Sequence, residues 1–232
     1  MSANVVVVAD DHPLFRSALV QALKNFLPAA DVVEVSDFPA LQASIAEYPD
    51  ADLVLLDLHM PGAQGYSSLL FLRNEHPAVP VVVVSAHEEP GVMQRAYDFG
   101  ASGFIPKSSG VPTLGDALRA VLEGEVWFPP QLAGAPEAAA EERELAQRIA
   151  SLSPQQFRVF MMLASGQLNK QIAYEIQVTE ATVKAHVTAI LRKLGLVRRT
   201  QAALLAQRLL QAESASLEIP PVADDETESE EG

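Results

Sequence analysis

Short apolar runs alternate with helically spaced segments along the first 130 residues. The runs are mostly β-branched and lack polar alternation, which predicts strands buried on both faces of a parallel sheet. The segments between them carry apolar residues at helical spacing, such as Leu19, Leu23 and Phe26. This pattern predicts an α/β fold with a doubly wound, five-stranded parallel sheet. The predicted strands are 5–8, 32–33, 53–56, 81–84 and 104–105, and a fifth helix is expected around 113–122.

The pattern after residue 150 is helical throughout. Ser153-Pro154 starts one predicted helix with Gln156 close to a capping box, and Gly166 ends it. A second short helix over 169–173 and a tight turn over 177–179 lead to a third helix beginning near residue 180, which predicts a helix-turn-helix. We expect Thr200 to cap a last helix, giving a small all-α domain of four helices. The core stripe predicted for the third helix is Val183, Val187, Ile190 and Leu194.

Residues 129–150 read as a linker with a helical second half. Its prolines and Gly134 argue against regular structure at first, and an Ala/Glu/Arg-rich stretch then favours a helix. The apolar stripe of that helix is thin, which predicts weak packing or support from a partner. The stripe consists of Leu145, Ile149 and Leu152.

Charge divides the chain more sharply than hydropathy does. The formal net charge is −14, yet residues 151–212 carry 8 basic and 2 acidic residues, whereas residues 213–232 carry 8 acidic residues and no basic one. A basic block between acidic neighbours indicates a separate module with a polyanionic partner. The predicted division is 1–128, 129–150, 151–212 and 213–232. The absence of cysteine excludes disulfides and thiolate sites, and with no signal or membrane segment apparent we expect a cytoplasmic protein without a membrane partner.

Five polar residues follow the predicted strands. Asp10 and Asp11 come after the first strand, Asp57 after the third, Ser85 after the fourth and Lys107 after the fifth. Because ligands of open parallel sheets bind at the carboxyl ends of the strands, we expect these side chains to meet there. Three converging carboxylates favour a hard cation such as Mg²⁺. With a hydroxyl and an ammonium added, the set indicates phosphoryl transfer to an aspartate.

The motifs around these residues resemble the receiver domain of bacterial two-component response regulators, which has a flavodoxin-like fold. The resemblance covers residues 4–123 and implies that Asp57 is the phosphoacceptor, assisted by Lys107 and Ser85. It implies that Mg²⁺ is held by Asp10, Asp11, Asp57 and the backbone carbonyl of His59, and that Ser85 and Phe104 form a switch pair. The motifs are Ala9-Asp10-Asp11-His12-Pro13, Leu56-Asp57-Leu58-His59-Met60-Pro61-Gly62, Ser85-Ala86 and Gly100-Ala101-Ser102-Gly103-Phe104-Ile105-Pro106-Lys107.

The third helix of the basic module presents a slim, basic face opposite its core stripe, which suits a DNA major groove. This face carries Lys184, Ala185, Thr188, Ala189 and Arg192. Residues 152–212 are similar to the LuxR-type DNA-binding domain, on Asn169-Lys170-Gln171-Ile172-Ala173 and Thr182-Val183-Lys184-Ala185-His186-Val187. The resemblance implies base contacts by Lys184, Ala185, Thr188 and Arg192, phosphate contacts by Asn169, Lys170 and Thr182, and pairing of two copies through the last helix. Gln156 departs from the glutamate that is usual in the family.

Together the two resemblances identify a NarL/FixJ-type response regulator over nearly the whole chain. They imply a phosphorylation-controlled transcriptional regulator whose partners are a sensor histidine kinase, promoter double-stranded DNA and a second copy, with RNA polymerase as a further candidate. It would not be an enzyme beyond its own phosphorylation and dephosphorylation at Asp57. Two alternatives remain: an adaptor or DNA binder whose output ignores phosphorylation, and a small Mg²⁺-dependent phosphatase.

The acidic segment 213–232 has two readings. Its composition is typical of a disordered, solubilising extension. It could instead fold back on the basic module by charge attraction and compete with DNA, an interaction that salt would weaken.

Overall fold

A computed structural model describes residues 4–63, 65–134 and 140–211. The first half is a parallel sheet with strand order β2-β1-β3-β4-β5, which confirms the predicted fold class. Its strands are β1 (Val5–Ala9), β2 (Asp31–Val35), β3 (Leu53–Leu56), β4 (Val81–Ser85) and β5 (Gly103–Pro106). Its helices are α1 (Pro13–Phe26), α2 (Phe38–Glu47), α3 (Ser67–Glu75), α4 (Pro90–Asp98) and α5 (Val111–Leu122).

Helices cover both faces of the sheet. On one face, Leu23 of α1 and Leu118 of α5 pack with Val6 and Val8 of β1. On the other face, α2, α3 and α4 pack against the alternate strand residues, and these three helices contribute, among others, Leu41, Ile45, Leu69, Leu72, Met93 and Ala96. Burial of each of these Leu, Ile, Val and Met side chains stabilises the fold by about 1.5–3 kcal/mol. The strands are continuously apolar because helices cover both faces of the sheet.

The linker is more ordered than its sequence suggested. Pro130–Gly134 forms a short 3₁₀ helix, so the expectation of irregular structure there was wrong. Helix α6 (Ala140–Ala150) occupies the predicted helical half. Its thin stripe is not weakly packed: Leu145 and Ile149 are buried because α6 lies among α3, α4 and a helix of the second half. The apolar stripe of α6 is therefore supported by other helices of the same chain.

The second half is all helical, as predicted. It comprises α7 (Pro154–Ala164), α8 (Asn169–Glu175), α9 (Glu180–Leu194) and α10 (Arg199–Gln211). The capping box at α7 is complete, since Ser153 Oγ accepts from the Gln156 N–H and Gln156 Oε1 accepts from the Ser153 N–H. The substituted glutamine therefore retains the cap.

The start of α10 differs from the prediction. Thr200 lies inside the helix and not at its cap, because α10 begins at Arg199. The backbone N–H groups of the two residues just before α10 have no partner within the helix. They donate instead to a side chain of its first turn, because Gln201 Oε1 accepts from the Val197 and Arg198 N–H groups at 3.0 Å each.

The two halves are packed together. Helix α7 contacts α3, and α6 contacts both α3 and α4. A cleft of about 680 Å³ remains between them, lined on the sheet side by Phe38 and Phe71 and on the helical side by Phe157, Met161 and Glu175, among others. None of the described helices combines the length and apolarity needed to cross a bilayer.

Candidate functional site

Two almost completely buried carboxylates lie at the carboxyl end of the sheet. Asp10 follows β1 and is 1% exposed, and Asp57 follows β3 and is 2% exposed. Each is fixed by the strand pairing beside it: the Asp57 N–H donates to the Ala9 carbonyl at 2.8 Å, and the Asp10 N–H donates to Val35 at 3.1 Å. The strand pairing therefore holds the two carboxylates side by side in spite of the repulsion between their negative charges.

Lys107 supplies the cation between them. Its Nζ lies 2.6 Å from Asp57 Oδ2 and 2.7 Å from Asp10 Oδ2. The position is set by backbone pairing beyond β5, because the Lys107 N–H donates to the Ser85 carbonyl at 2.7 Å. The ammonium also lies 4.9 Å from the centre of the Phe15 ring. One positive charge is therefore shared by two buried negative charges.

This arrangement shifts the pKa values of both Asp57 and Lys107. Burial raises the pKa of Asp57; Lys107 and the His59 N–H oppose the rise, and the charge of Asp10 adds to it. Burial lowers the pKa of Lys107, but the carboxylates of Asp10 and Asp57 outweigh that effect and the net pKa is raised. The pocket thus carries more negative charge than its one lysine neutralises, which favours an added cation.

The donor set fits a divalent cation. Asp10, Asp11, His12 and Asp57 each place one ligand atom within 4.8 Å of the others. Three of these donors are carboxylates, which suit a hard ion better than a soft one. The structure brings together the three acids that the sequence singled out.

Sequence reasoning missed the part played by two neighbours of this pocket. His12 Nδ1 lies 2.7 Å from Asp11 Oδ1 and 3.5 Å from Lys107 Nζ. Arg16 Nη1 donates to the Asp10 carbonyl at 2.6 Å, which holds the loop after β1. The only signal for His12 was its place directly after the two aspartates, and Arg16 gave none.

Ser85, Phe104 and His59 surround the pocket. Ser85 is fully buried, and its Oγ accepts from the His87 N–H at 3.1 Å. The His59 N–H donates to Asp57 Oδ1 at 3.1 Å. Phe104 is fully buried in the apolar cluster that also contains Met93 and Ala96 of α4. Phe104 lies on β5, and α4 packs against that strand.

A second candidate site lies on α9. Val183, Ile190 and Leu194 are buried as the sequence predicted, whereas the half-buried Val187 only borders the core. The opposite face is open to solvent, and its exposed residues are Lys184, Ala185, Thr188 and Arg192. We call these four residues the reading face.

The three residues expected to bind phosphate differ in their positions and in the contacts that they make. Thr182 lies in the first turn of α9, where its N–H donates to the capping Thr179 Oγ1 at 3.1 Å. Lys170 is exposed at the start of α8. Asn169 is tied to α10, because its Oδ1 accepts from Arg199 Nη1 at 2.6 Å. Asn169 therefore offers a ligand its amide nitrogen, the group that can donate to a phosphate.

Comparison with known proteins adds two domain matches. Residues 6–119 match the response regulator receiver domain. Residues 150–206 match the bacterial regulatory proteins of the luxR family. The acid pocket falls in the first match and the reading face in the second.

Similar proteins span nearly the whole chain. The glycerol metabolism activator of Pseudomonas putida is 39% identical over 207 residues, covering 87% of this chain and 94% of that protein. The nitrate/nitrite response regulator NarL of Escherichia coli is 35% identical, covering 86% and 93%. The structure of RcsB from Salmonella enterica serovar Typhimurium bound to a promoter with the phosphomimetic BeF₃⁻ matches with a TM-score of 0.53 at 23% identity, covering 90% of this chain and 99% of that one. This last likeness concerns the fold alone.

Proposed function

Because the chain belongs to the NarL/FixJ-type two-component response regulators, we propose that it is a transcriptional regulator controlled by phosphorylation of Asp57. The observation that carries this proposal is Lys107 bridging the buried Asp57 and Asp10 at the strand ends. Such a pocket is suited to a phosphoryl group, and the same chain presents a basic helix face suited to DNA. The proposed units are 1–128, 129–150, 151–212 and 213–232.

Phosphoryl transfer uses Asp57 as the nucleophile. One carboxylate oxygen attacks the phosphorus of a phosphohistidine on a sensor kinase or of a small phosphodonor, the bond to the donor breaks, and its electron pair leaves with the donor. Lys107 then moves its ion pair from the carboxylate to a phosphoryl oxygen, and the Ser85 hydroxyl donates to another. These steps, with hydrolysis of the product, are the only chemistry that we assign to the chain.

The proposed cofactor is Mg²⁺. Asp10, Asp11, Asp57 and the backbone carbonyl of His59 would hold it, and it would neutralise charge on the transferring phosphoryl group. Its charge also favours the ionised form of Asp57, whose pKa is raised by burial.

The signal has a continuous path of contacts to the reading face. Ser85 and Phe104 form the proposed switch beside α4, and α4 packs against both the 3₁₀ helix and α6. Helix α6 is joined to the end of α9, because Arg148 Nη1 donates to the Leu194 carbonyl at 3.3 Å and Lys193 Nζ donates to the Ser151 carbonyl at 2.7 Å. A change at α4 can thus alter how the helical module is held.

DNA binding follows from the α9 geometry. We assign base contacts to Lys184, Ala185, Thr188 and Arg192, and phosphate contacts to Asn169, Lys170 and Thr182. Two copies would pair through α10, where Leu204 is 48% exposed, and place two reading faces on half-sites about one helical turn apart. The protein then acts in the cytoplasm, with RNA polymerase as a further partner.

The test is phosphorylation by a small phosphodonor such as acetyl phosphate with Mg²⁺, followed by intact mass. We expect one phosphoryl group per chain on the wild type and none on Asp57→Asn. Asp50→Asn is the matched control, since Asp50 is exposed and outside the pocket. Equal labelling of wild type and Asp57→Asn would overturn the assignment. Because hydrolysis at Asp57 also releases phosphate from the phosphodonor, only sustained hydrolysis of a phosphomonoester that does not phosphorylate Asp57 would favour a phosphatase.

A further inference from the structure

We propose that the acidic C-terminal segment, residues 213–232, docks on the reading face of α9 and competes with DNA for it. The proposal rests on the proposed function in one respect, that the reading face is the DNA-binding surface. It assigns a second, intramolecular occupant to that surface and a regulatory task to the tail.

The cations around the reading face have no partner in the described part of the chain. Lys170, Lys184 and Arg192 are exposed, and the side chain of none of them makes a hydrogen bond or ion pair with a described residue. Two other helical cations are paired along their own helix: Arg119 with an acid at i−3, and Arg148 with an acid at i−4. The reading face is therefore positive and available to an anion.

The receiver half does not cover the reading face. The principal neighbours of α9 are α6, α7, α8 and α10, which leave its outer face in solvent even though the two halves are packed together. Packing of the halves therefore does not by itself prevent access to DNA. Competition for the reading face requires a group from elsewhere in the chain or from another molecule.

The tail has the complementary charge. It carries eight acidic residues and no basic one, and six of the acids lie within residues 224–231. In an extended chain this cluster places one negative charge about every 4.5 Å, close to the spacing of about 3.4 Å per phosphate along one DNA strand. To a row of lysine and arginine side chains the segment resembles a short polyanion.

The tail is also attached close enough to reach. It continues from α10, which ends at Gln211 within the same helical module. Residues 212–223, which precede the acidic cluster, span up to about 40 Å when extended, whereas a module of this size has a radius of gyration of about 10 Å. Every point on the module surface is therefore within reach. A short tether gives a local concentration on the order of millimolar, so weak ion pairs suffice for competition.

Docking has two consequences, of which a mere excess of negative charge shares the first and not the second. A docked tail must leave before any DNA binds, so it lowers specific and non-specific affinity by the same factor. Because its contacts are exposed ion pairs, that factor falls as salt rises. A peptide of the same sequence must also bind the reading face in trans, which long-range repulsion of DNA does not require.

The experiment compares three full-length or near full-length chains: wild type, a chain ending at Ala212, and a chain in which the eight tail acids are changed to Asn or Gln. DNA affinity is measured on a selected site and on random duplex. We expect both altered chains to bind each DNA about five- to tenfold more tightly than wild type at about 0.05 M salt, and less than about twofold more tightly at about 0.5 M. Circular dichroism checks that all three are folded.

The location is tested by adding a synthetic 213–232 peptide to the chain that ends at Ala212. We expect amide chemical shift changes on α9 around Lys184 and Arg192, which DNA reverses. Equal DNA affinity of the three chains, or tighter binding without any peptide effect on α9, overturns the docking proposal. If the folded truncated chain binds no DNA, the proposed function itself fails, and that outcome is distinct from the other two.

Discussion

Replacing Lys107 by methionine tests the electrostatic balance of the acid pocket. Lys107 Nζ lies within 2.7 Å of carboxylate oxygens on both Asp57 and Asp10, and both acids are almost completely buried. Methionine keeps most of the apolar stem and removes the charge. The substitution therefore leaves two buried carboxylates without their shared cation, while the packing beside Phe15 is largely retained.

The expected cost follows from that geometry. Removing one member of a buried ion pair typically destabilises a protein by about 3–5 kcal/mol. The Lys107 side chain is 13% exposed, and a carboxyl group can respond by taking up a proton, so we place the loss in the free energy of unfolding at about 2–4 kcal/mol at neutral pH. In an Asp57→Asn background only Asp10 loses its partner, and we expect about half of that loss.

Urea unfolding monitored by tryptophan fluorescence measures this directly. Trp127 is the only tryptophan, and it is bound to the sheet edge, because its N–H donates to Ser102 and its carbonyl accepts from Phe104. We also expect millimolar Mg²⁺ to recover part of the loss, since it neutralises the same acids. A loss below about 1 kcal/mol, or an equal loss in the Asp57→Asn background, would refute the reasoning.

Three further predictions concern single residues. Burial raises the pKa of Asp57, so the charged carboxylate destabilises the folded protein at pH values above its folded-state pKa and has no such effect below the ordinary pKa of an aspartate. Asp57→Asn should therefore raise the urea midpoint at pH 7, and this gain should vanish near pH 4. Gly115→Ala should lower stability by about 1–3 kcal/mol in the same assay, because a Cβ there meets an aromatic ring of α1, whereas Gly91→Ala, with no neighbour within 4 Å, should not destabilise. Lys184→Ala should weaken specific DNA binding by about 1–3 kcal/mol in a titration, and Lys24→Ala, an exposed lysine on α1, should leave it unchanged; equal effects of the two would count against the reading face.

The sheet and the acid pocket could be predicted because each depends on a strong local pattern. Strand β4 is wholly buried, so Val81–Ser85 contains only residues that tolerate a covered sheet. Asp10, Asp57 and Lys107 follow from the rule that ligands bind at the carboxyl ends of strands. Their convergence in the structure needs no information beyond strand order.

The linker and the loop after β1 could not be predicted in the same way. The stripe on α6 is thin by composition, and its burial depends on how α3, α4 and α9 come together, which no local pattern encodes. The contact between His12 and Asp11 depends on the loop conformation after β1. The exposure of the reading face while the halves are packed is likewise a property of the assembled chain.

The measurement that tests the central claim most directly is DNA binding together with sedimentation velocity, on wild type and Asp57→Asn, with Mg²⁺ and beryllofluoride present or absent. The account predicts that beryllofluoride tightens sequence-selective binding and increases the dimer in the wild type, and that Asp57→Asn does not respond. If both proteins bind DNA equally well with and without beryllofluoride, the acid pocket does not control the reading face and the account is contradicted.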